Sequence, residues 1–105
     1  MTVQHVEDLD QFKNLLSKSS KVVIDFSATW CGPCKAIAPK YEALSNEDKY
    51  KEWTFCKVDV DEADDVASEY GVSAMPTFLF FKNGSLVDKF AGANESMLVN
   101  KLNML

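Results

Sequence analysis

Two cysteines stand three residues apart in Trp30-Cys31-Gly32-Pro33-Cys34. If that stretch opens a helix, both thiols fall on one turn, close enough to form a disulfide. The free N–H groups at a helix N-terminus, and the dipole they head, favour a thiolate, most strongly on the first sulfur. Pro33 fits there, because a first-turn residue has no intrahelical use for its N–H. Three chemistries compete for such a pair. A structural staple would tie distant elements, and a four-residue loop contributes only about 2 kcal/mol of closure entropy. A zinc site needs a second ligand pair, but only Cys56 and His5 remain, far apart and not at ligand spacing. A redox pair needs a thiolate that attacks a disulfide and a neighbour that resolves the mixed disulfide, and the spacing favours this reading.

The elements around the pair must position it. Val22-Val23-Ile24-Asp25-Phe26 reads as a strand buried on both faces of a parallel sheet. From Cys34 to about Lys49 the chain reads as a helix with Ile37, Tyr41 and Leu44 on one stripe. Pro39 removes the N–H that would bond the Lys35 carbonyl, so a kink is expected. Upstream, Thr2–Val6 suits a short strand. Asp8 then offers an N-cap with Gln11 three residues on, followed by Leu9, Phe12, Leu15 and Leu16 at helical spacing. Downstream, Trp53–Val60 reads as a strand. Asp61–Tyr70 reads as a helix carrying Ala63, Val66, Ala67 and Tyr70, stopped by Gly71. Thr77–Phe81 is a strongly apolar strand that runs through Lys82 and turns at Asn83-Gly84 into Ser85–Phe90. Asn94 caps a last helix with Leu98, Leu102 and Leu105. The expected order is βαβαβαββα: an α/β fold, a three-layer α/β/α sandwich with a mixed central sheet.

Composition narrows the functional classes. A chain of 105 residues supports one domain, taken as 1–105. Sixteen acids face 11 bases, all Lys, for a net charge of −5; no nucleic-acid partner is expected without a basic face. No apolar run approaches the roughly 20 residues of a membrane span, so no membrane partner is expected. Met1–Asp8 shows no basic segment followed by an apolar one, and its two acids argue against a transit peptide. The expected location is the cytoplasm, with the nucleus left open, and the expected state is a monomer.

The chain resembles the thioredoxin family, of the cytosolic eukaryotic type. The matching stretches are Asp25-Phe26-Ser27-Ala28-Thr29-Trp30-Cys31-Gly32-Pro33-Cys34-Lys35, Lys57-Val58-Asp59-Val60-Asp61, Val72-Ser73-Ala74-Met75-Pro76-Thr77 and Phe90-Ala91-Gly92-Ala93-Asn94. Two departures stand out: Ser27 replaces a Trp of many bacterial members, and Ala74 replaces a regulatory cysteine of some animal members. The resemblance implies the thioredoxin fold and reduction of protein disulfides through a reversible Cys31–Cys34 dithiol/disulfide. No bound cofactor is implied; electrons would come from NADPH through thioredoxin reductase. Implied substrates include peroxiredoxins, ribonucleotide reductase and methionine sulfoxide reductases. A different class of reading is a non-catalytic binding module or accessory subunit of a larger assembly.

The resemblance also assigns supporting residues. Asp25 is a carboxylate inside an apolar strand: either an edge residue reaching water or a buried acid with a raised pKa. The family pattern puts it behind Cys34, whose proton it would take. Lys57, mid-strand, either reaches the surface or stands near Asp25, as the resemblance implies. Pro76 would be cis, facing the disulfide, with the Met75 backbone pairing to an extended substrate. Trp30, Gly32, Pro33, Val72, Ala74, Met75, Pro76, Gly92 and Ala93 would form the substrate surface. Lys35 reads mainly as a solvated helix residue. Cys56 reads as core, and His5 is assigned no role. The cluster Asp59, Asp61, Glu62, Asp64 and Asp65 reads mainly as acids gathered at a helix N-terminus, with steering of a partner as the alternative.

Overall fold

The computed structural model describes residues 3–105. Its sheet grows outward from β2 (Lys21–Ser27), whose apolar run has strands on both sides. The other strands are β1 (Val3–His5), β3 (Trp53–Asp59), β4 (Thr77–Lys82) and β5 (Ser85–Ala91), in the spatial order β1-β3-β2-β4-β5. The β1–β3 and β3–β2 pairs are parallel; β2–β4 and β4–β5 are antiparallel, so the sheet is mixed. Four helices cover it: α1 (Leu9–Lys18), α2 (Gly32–Ser45), α3 (Asp64–Glu69) and α4 (Glu95–Met104).

Alternation along the strands splits the core in two. Val23, Phe55, Phe78 and Phe80 pack with Ile37, Tyr41 and Leu44 of α2 and with Leu98 and Leu102 of α4. Val22, Ile24, Phe26, Cys56, Val58, Leu79 and Phe81 pack on the other face with Phe12 of α1 and Val66 and Ala67 of α3. A strand apolar at every position is thus a strand buried on both faces. Asp25 shares its face with Val23, so its carboxyl points toward the α2/α4 layer and not toward an edge.

The local signals act as their chemistry requires. Asp8 Oδ1 accepts the Gln11 N–H at 2.8 Å, and Gln11 Oε1 in turn accepts the Glu7 N–H at 2.6 Å. Asn83 (φ 53°) and Gly84 (φ 83°) both take the left-handed conformation of a two-residue hairpin between Lys82 and Ser85. Asn94 Oδ1 accepts the Met97 N–H at 3.0 Å and opens α4.

Several bounds differ from expectation. The described part of the first strand is Val3–His5, and Thr2 lies outside the described residues. Helix α2 begins at Gly32 with Cys31 as its cap, and it stops at Ser45. Asn46 then closes it on the Ala43 and Leu44 carbonyls, and Asp48–Tyr50 forms a separate 3-10 turn. Helix α3 begins only at Asp64. The Asp59 carbonyl takes the Glu62 and Ala63 N–H groups, and its side chain takes that of Asp61, which holds residues 59–63 in turns. Helix α4 ends at Met104, leaving Leu105 as a partly buried cap. Among the described residues no helix is long and apolar enough to cross a membrane.

Candidate active site

Cys31 and Cys34 are joined as a disulfide at the mouth of α2. Cys31 is the N-cap, and its Sγ accepts the Cys34 backbone N–H at 3.2 Å. An N-cap oxygen commonly fills this role; here a sulfur does, and a thiolate would fill it better, being an anion facing free N–H groups. Both cysteines are nearly buried and pack with Ala28, Val60 and Met75. Cys31 Sγ also lies 3.6 Å from the Met75 carbonyl, to which a thiol could donate in the reduced form. The intervening Gly32 and Pro33 are exposed.

Around the pair the residues expected to form a substrate surface divide. The Met75–Pro76 peptide bond is cis, Pro76 is buried, and its carbonyl accepts the Gly92 N–H at 2.8 Å. That bond ties the segment bearing Gly92 and Ala93 to the loop beside Cys31. Gly92 has φ +106°, a conformation that side-chain-bearing residues rarely adopt. Trp30 is 66% exposed, and its indole Nε1 donates to Asp61 Oδ2 at 2.9 Å. Asp61 therefore lies before α3 and orients the exposed Trp30 ring, in contrast to the helix-terminus position expected for the acidic cluster. Only Asp64 and Asp65 sit in the first turn of α3. Asp65 reaches across to accept the Leu9 N–H at the start of α1. Val72 is set apart: it packs against the α1/α3 core and lines a groove with Ala74, Tyr70 and Lys89.

The acid Asp25 lies in the central strand β2. Asp25 is 0% exposed, and neither carboxyl oxygen has a hydrogen-bond partner; among the described residues these are the only such buried side-chain atoms. Burial drives its pKa up to about 7, against the opposing field of Lys57, its register partner on β3. Cys34 heads the α2 stripe continued by Ile37, Tyr41 and Leu44, which faces the same side of the sheet. Tyr41 is buried and donates its hydroxyl to the Val23 and Cys56 carbonyls at 3.1 and 2.7 Å. Burial, with Asp25 nearby, holds its phenol well above the usual range. A cavity of about 480 Å³ runs beside Cys34, lined by Lys57, Lys35, Asp59, Glu62 and His5 among others. A buried acid with a pKa near neutrality, on the sheet face that the Cys34 stripe covers, has the proton affinity that proton transfer at neutral pH requires. Cys56 holds its thiol outside this arrangement, although its carbonyl accepts from Tyr41. It is fully buried on the opposite face, and burial pushes its thiol up to about 12. Among the described residues no cluster of three or more metal-ligating side chains occurs.

Comparison with known proteins agrees with this geometry. The thioredoxin family profile matches residues 3–104. A thioredoxin from Ictalurus punctatus is 48% identical over 103 residues, 96% of each chain. The crystal structure of Malassezia sympodialis thioredoxin superposes with a TM-score of 0.92 at 46% identity, covering 99% of this chain and 93% of that one. A chain solved in work on thiol resolution in a yeast mitochondrial 1-Cys peroxiredoxin, by the glutathione and thioredoxin systems, gives a TM-score of 0.92. It is 41% identical, over 99% and 96% of the two chains.

Proposed function

The chain belongs to the thioredoxin family, and on that premise we propose how its electrons enter and leave. It is a protein-disulfide oxidoreductase whose redox group is the Cys31–Cys34 pair. In the reducing direction the Cys31 thiolate attacks one sulfur of a substrate disulfide, and the other sulfur leaves as a thiolate. Asp25 accepts the Cys34 proton, and the Cys34 thiolate then attacks Cys31 Sγ. The substrate's second sulfur leaves, so two electrons have passed to the substrate and the Cys31–Cys34 disulfide remains. The observation that carries this reading is a cysteine N-cap bonded to a second cysteine that heads the helix stripe on the same sheet face as an unpartnered buried acid.

Recycling would draw two electrons from NADPH through a thioredoxin reductase. A peroxiredoxin is the first substrate to test, because a structural neighbour comes from work on one. Ribonucleotide reductase and methionine sulfoxide reductases are further proposed substrates. The substrate backbone would pair with Met75, while Trp30, Gly32, Pro33, Ala74, Pro76, Gly92 and Ala93 form a shallow contact surface around it. We place the protein in the cytoplasm, where thiol pools are kept reduced.

The deciding measurement is reduction of insulin disulfides with NADPH and thioredoxin reductase. Sustained NADPH consumption that requires this protein is the expected result. A folded sample that gives none would overturn the proposal.

A further inference from the structure

His5 stands in register with Lys57, and Lys57 stands in register with Asp25. Register partners in parallel strands present their side chains to the same face, so the three groups form one row across β1, β3 and β2. The row runs from an exposed imidazole through a half-buried ammonium to a fully buried carboxyl. Strands lie about 4.8 Å apart, which puts His5 roughly 10 Å from Asp25. His5 and Lys57 also line both cavities on this face, the one of about 480 Å³ beside Cys34 and a smaller one of about 80 Å³ against Tyr41.

We propose that His5 is a positioning residue for the resolving step, its charge acting along this row, beside Lys57, to set the proton affinity of Asp25. The proposal rests on Asp25 being the acceptor of the Cys34 proton. Imidazole is the side chain that changes charge between pH 5 and 8, the range in which the resolving proton must move. When protonated, His5 adds a second cation to the row. Two cations favour the Asp25 carboxylate, so the acid releases its proton at lower pH. When neutral, His5 leaves Lys57 alone to oppose burial. The other charged groups facing His5 across the cavities are Lys35 and Glu42 on α2 and Asp59 and Glu62 at the end of β3 and in the turn that follows; the Gln11 side chain of α1 holds the His5 carbonyl at 3.3 Å. These groups are one cation and three anions, a fixed acidic surround against which the His5 charge is the variable one.

The test is a carboxyl-carbon NMR titration of Asp25 in the reduced full-length chain. His5→Lys is positive throughout and His5→Gln neutral throughout. The lysine variant should titrate roughly 0.3 to 1.2 pH units below the glutamine variant, the range two charges about 10 Å apart give between bulk-water and near-surface dielectric. The parent should lie between them with a broader transition. Gln4→Lys places the same charge one residue away but on the opposite sheet face, and should leave Asp25 unmoved. The pH profile of mixed-disulfide resolution should shift in the same direction in the His5 variants. Coincident midpoints in the two His5 variants, or an equal shift from Gln4→Lys, would overturn the proposal. Failure of Asp25 as the proton acceptor would show separately, as undiminished resolution in Asp25→Asn.

Discussion

Asp25 and Lys57 face each other in register on adjacent strands, yet neither Asp25 oxygen makes a hydrogen bond to Lys57 or to any other group of the described residues. The acid is buried and the amine half exposed, so burial outweighs the attraction between them and the pKa comes to about 7. A closed ion pair would have held the proton off permanently. An open one leaves it exchangeable at neutral pH.

That relationship has a cost in stability with a defined pH dependence. The folded chain binds the Asp25 proton more tightly than the unfolded chain, whose carboxyl has a pKa near 3.8. Stability therefore falls as pH rises from about 4 to about 7 and is level above, a loss of about 4 kcal/mol for this group. Asp25→Asn should be more stable than the parent at pH 8 by a few kcal/mol, and the difference should vanish near pH 4. Urea unfolding of the oxidised proteins at the two pH values measures it.

The same substitution should separate the two chemical steps. Attack by Cys31 should be little changed in Asp25→Asn, while release of the mixed disulfide should slow about 100-fold and lose its inflection near pH 7. Rapid-quench trapping of the mixed disulfide distinguishes this outcome from a uniform loss of both rates.

Removing the opposing cation should act in the other direction on the acid. Lys57→Met, which keeps much of the apolar stem, should raise the Asp25 midpoint above 7, because only burial would then act on it. A carboxyl NMR titration that leaves the midpoint in place would contradict the register-pair field.

The indole of Trp30 is exposed and held by one charged hydrogen bond to Asp61. Asp61→Ala should preserve stability within about 0.5 kcal/mol, as surface substitutions commonly do. It should lower kcat/KM for protein substrates by about three- to tenfold, since a freed ring must be ordered on each encounter. Fluorescence anisotropy of Trp30 in a Trp53→Phe background should fall in parallel.

The three cysteines should behave as two classes. Cys34→Ser should accumulate a mixed disulfide through Cys31, and Cys31→Ser should form none. Cys56, buried and with a pKa near 12, should resist iodoacetamide in the folded chain at pH 8. Cys56→Ala should retain disulfide reductase activity while losing about 1 kcal/mol of stability to the small cavity.

Local chemistry made much of this protein legible in one dimension. Trp30-Cys31-Gly32-Pro33-Cys34 announces its helix start through Pro33 and its redox role through spacing. The hairpin follows from Asn83-Gly84, and the α1 and α4 caps follow from Asp8 and Asn94, because each depends on contacts within four residues. The misjudged bounds of α2 and α3 have a common source. Helical periodicity continues past Ser45 and before Asp64, but backbone and side-chain acceptors at Ala43, Leu44 and Asp59 capture the N–H groups first. The acidic cluster is the clearest miss: five similar carboxyl groups divide into a partner for Trp30, a turn clamp, a cavity wall and a helix terminus according to where the backbone carries them.

The sequence by itself determined the order of elements, the cysteine pair and the family to which both belong, because periodicity, turn chemistry and spacing are properties of neighbouring residues. Only the tertiary structure decided that Asp25 is buried without a hydrogen-bond partner among the described residues, that Lys57 and His5 fall in its row, and that Asp61 holds Trp30. Those pairs are separated by 20 to 32 positions along the chain. Their meeting depends on strand register and on which face each side chain takes, quantities that exist only once the sheet is assembled.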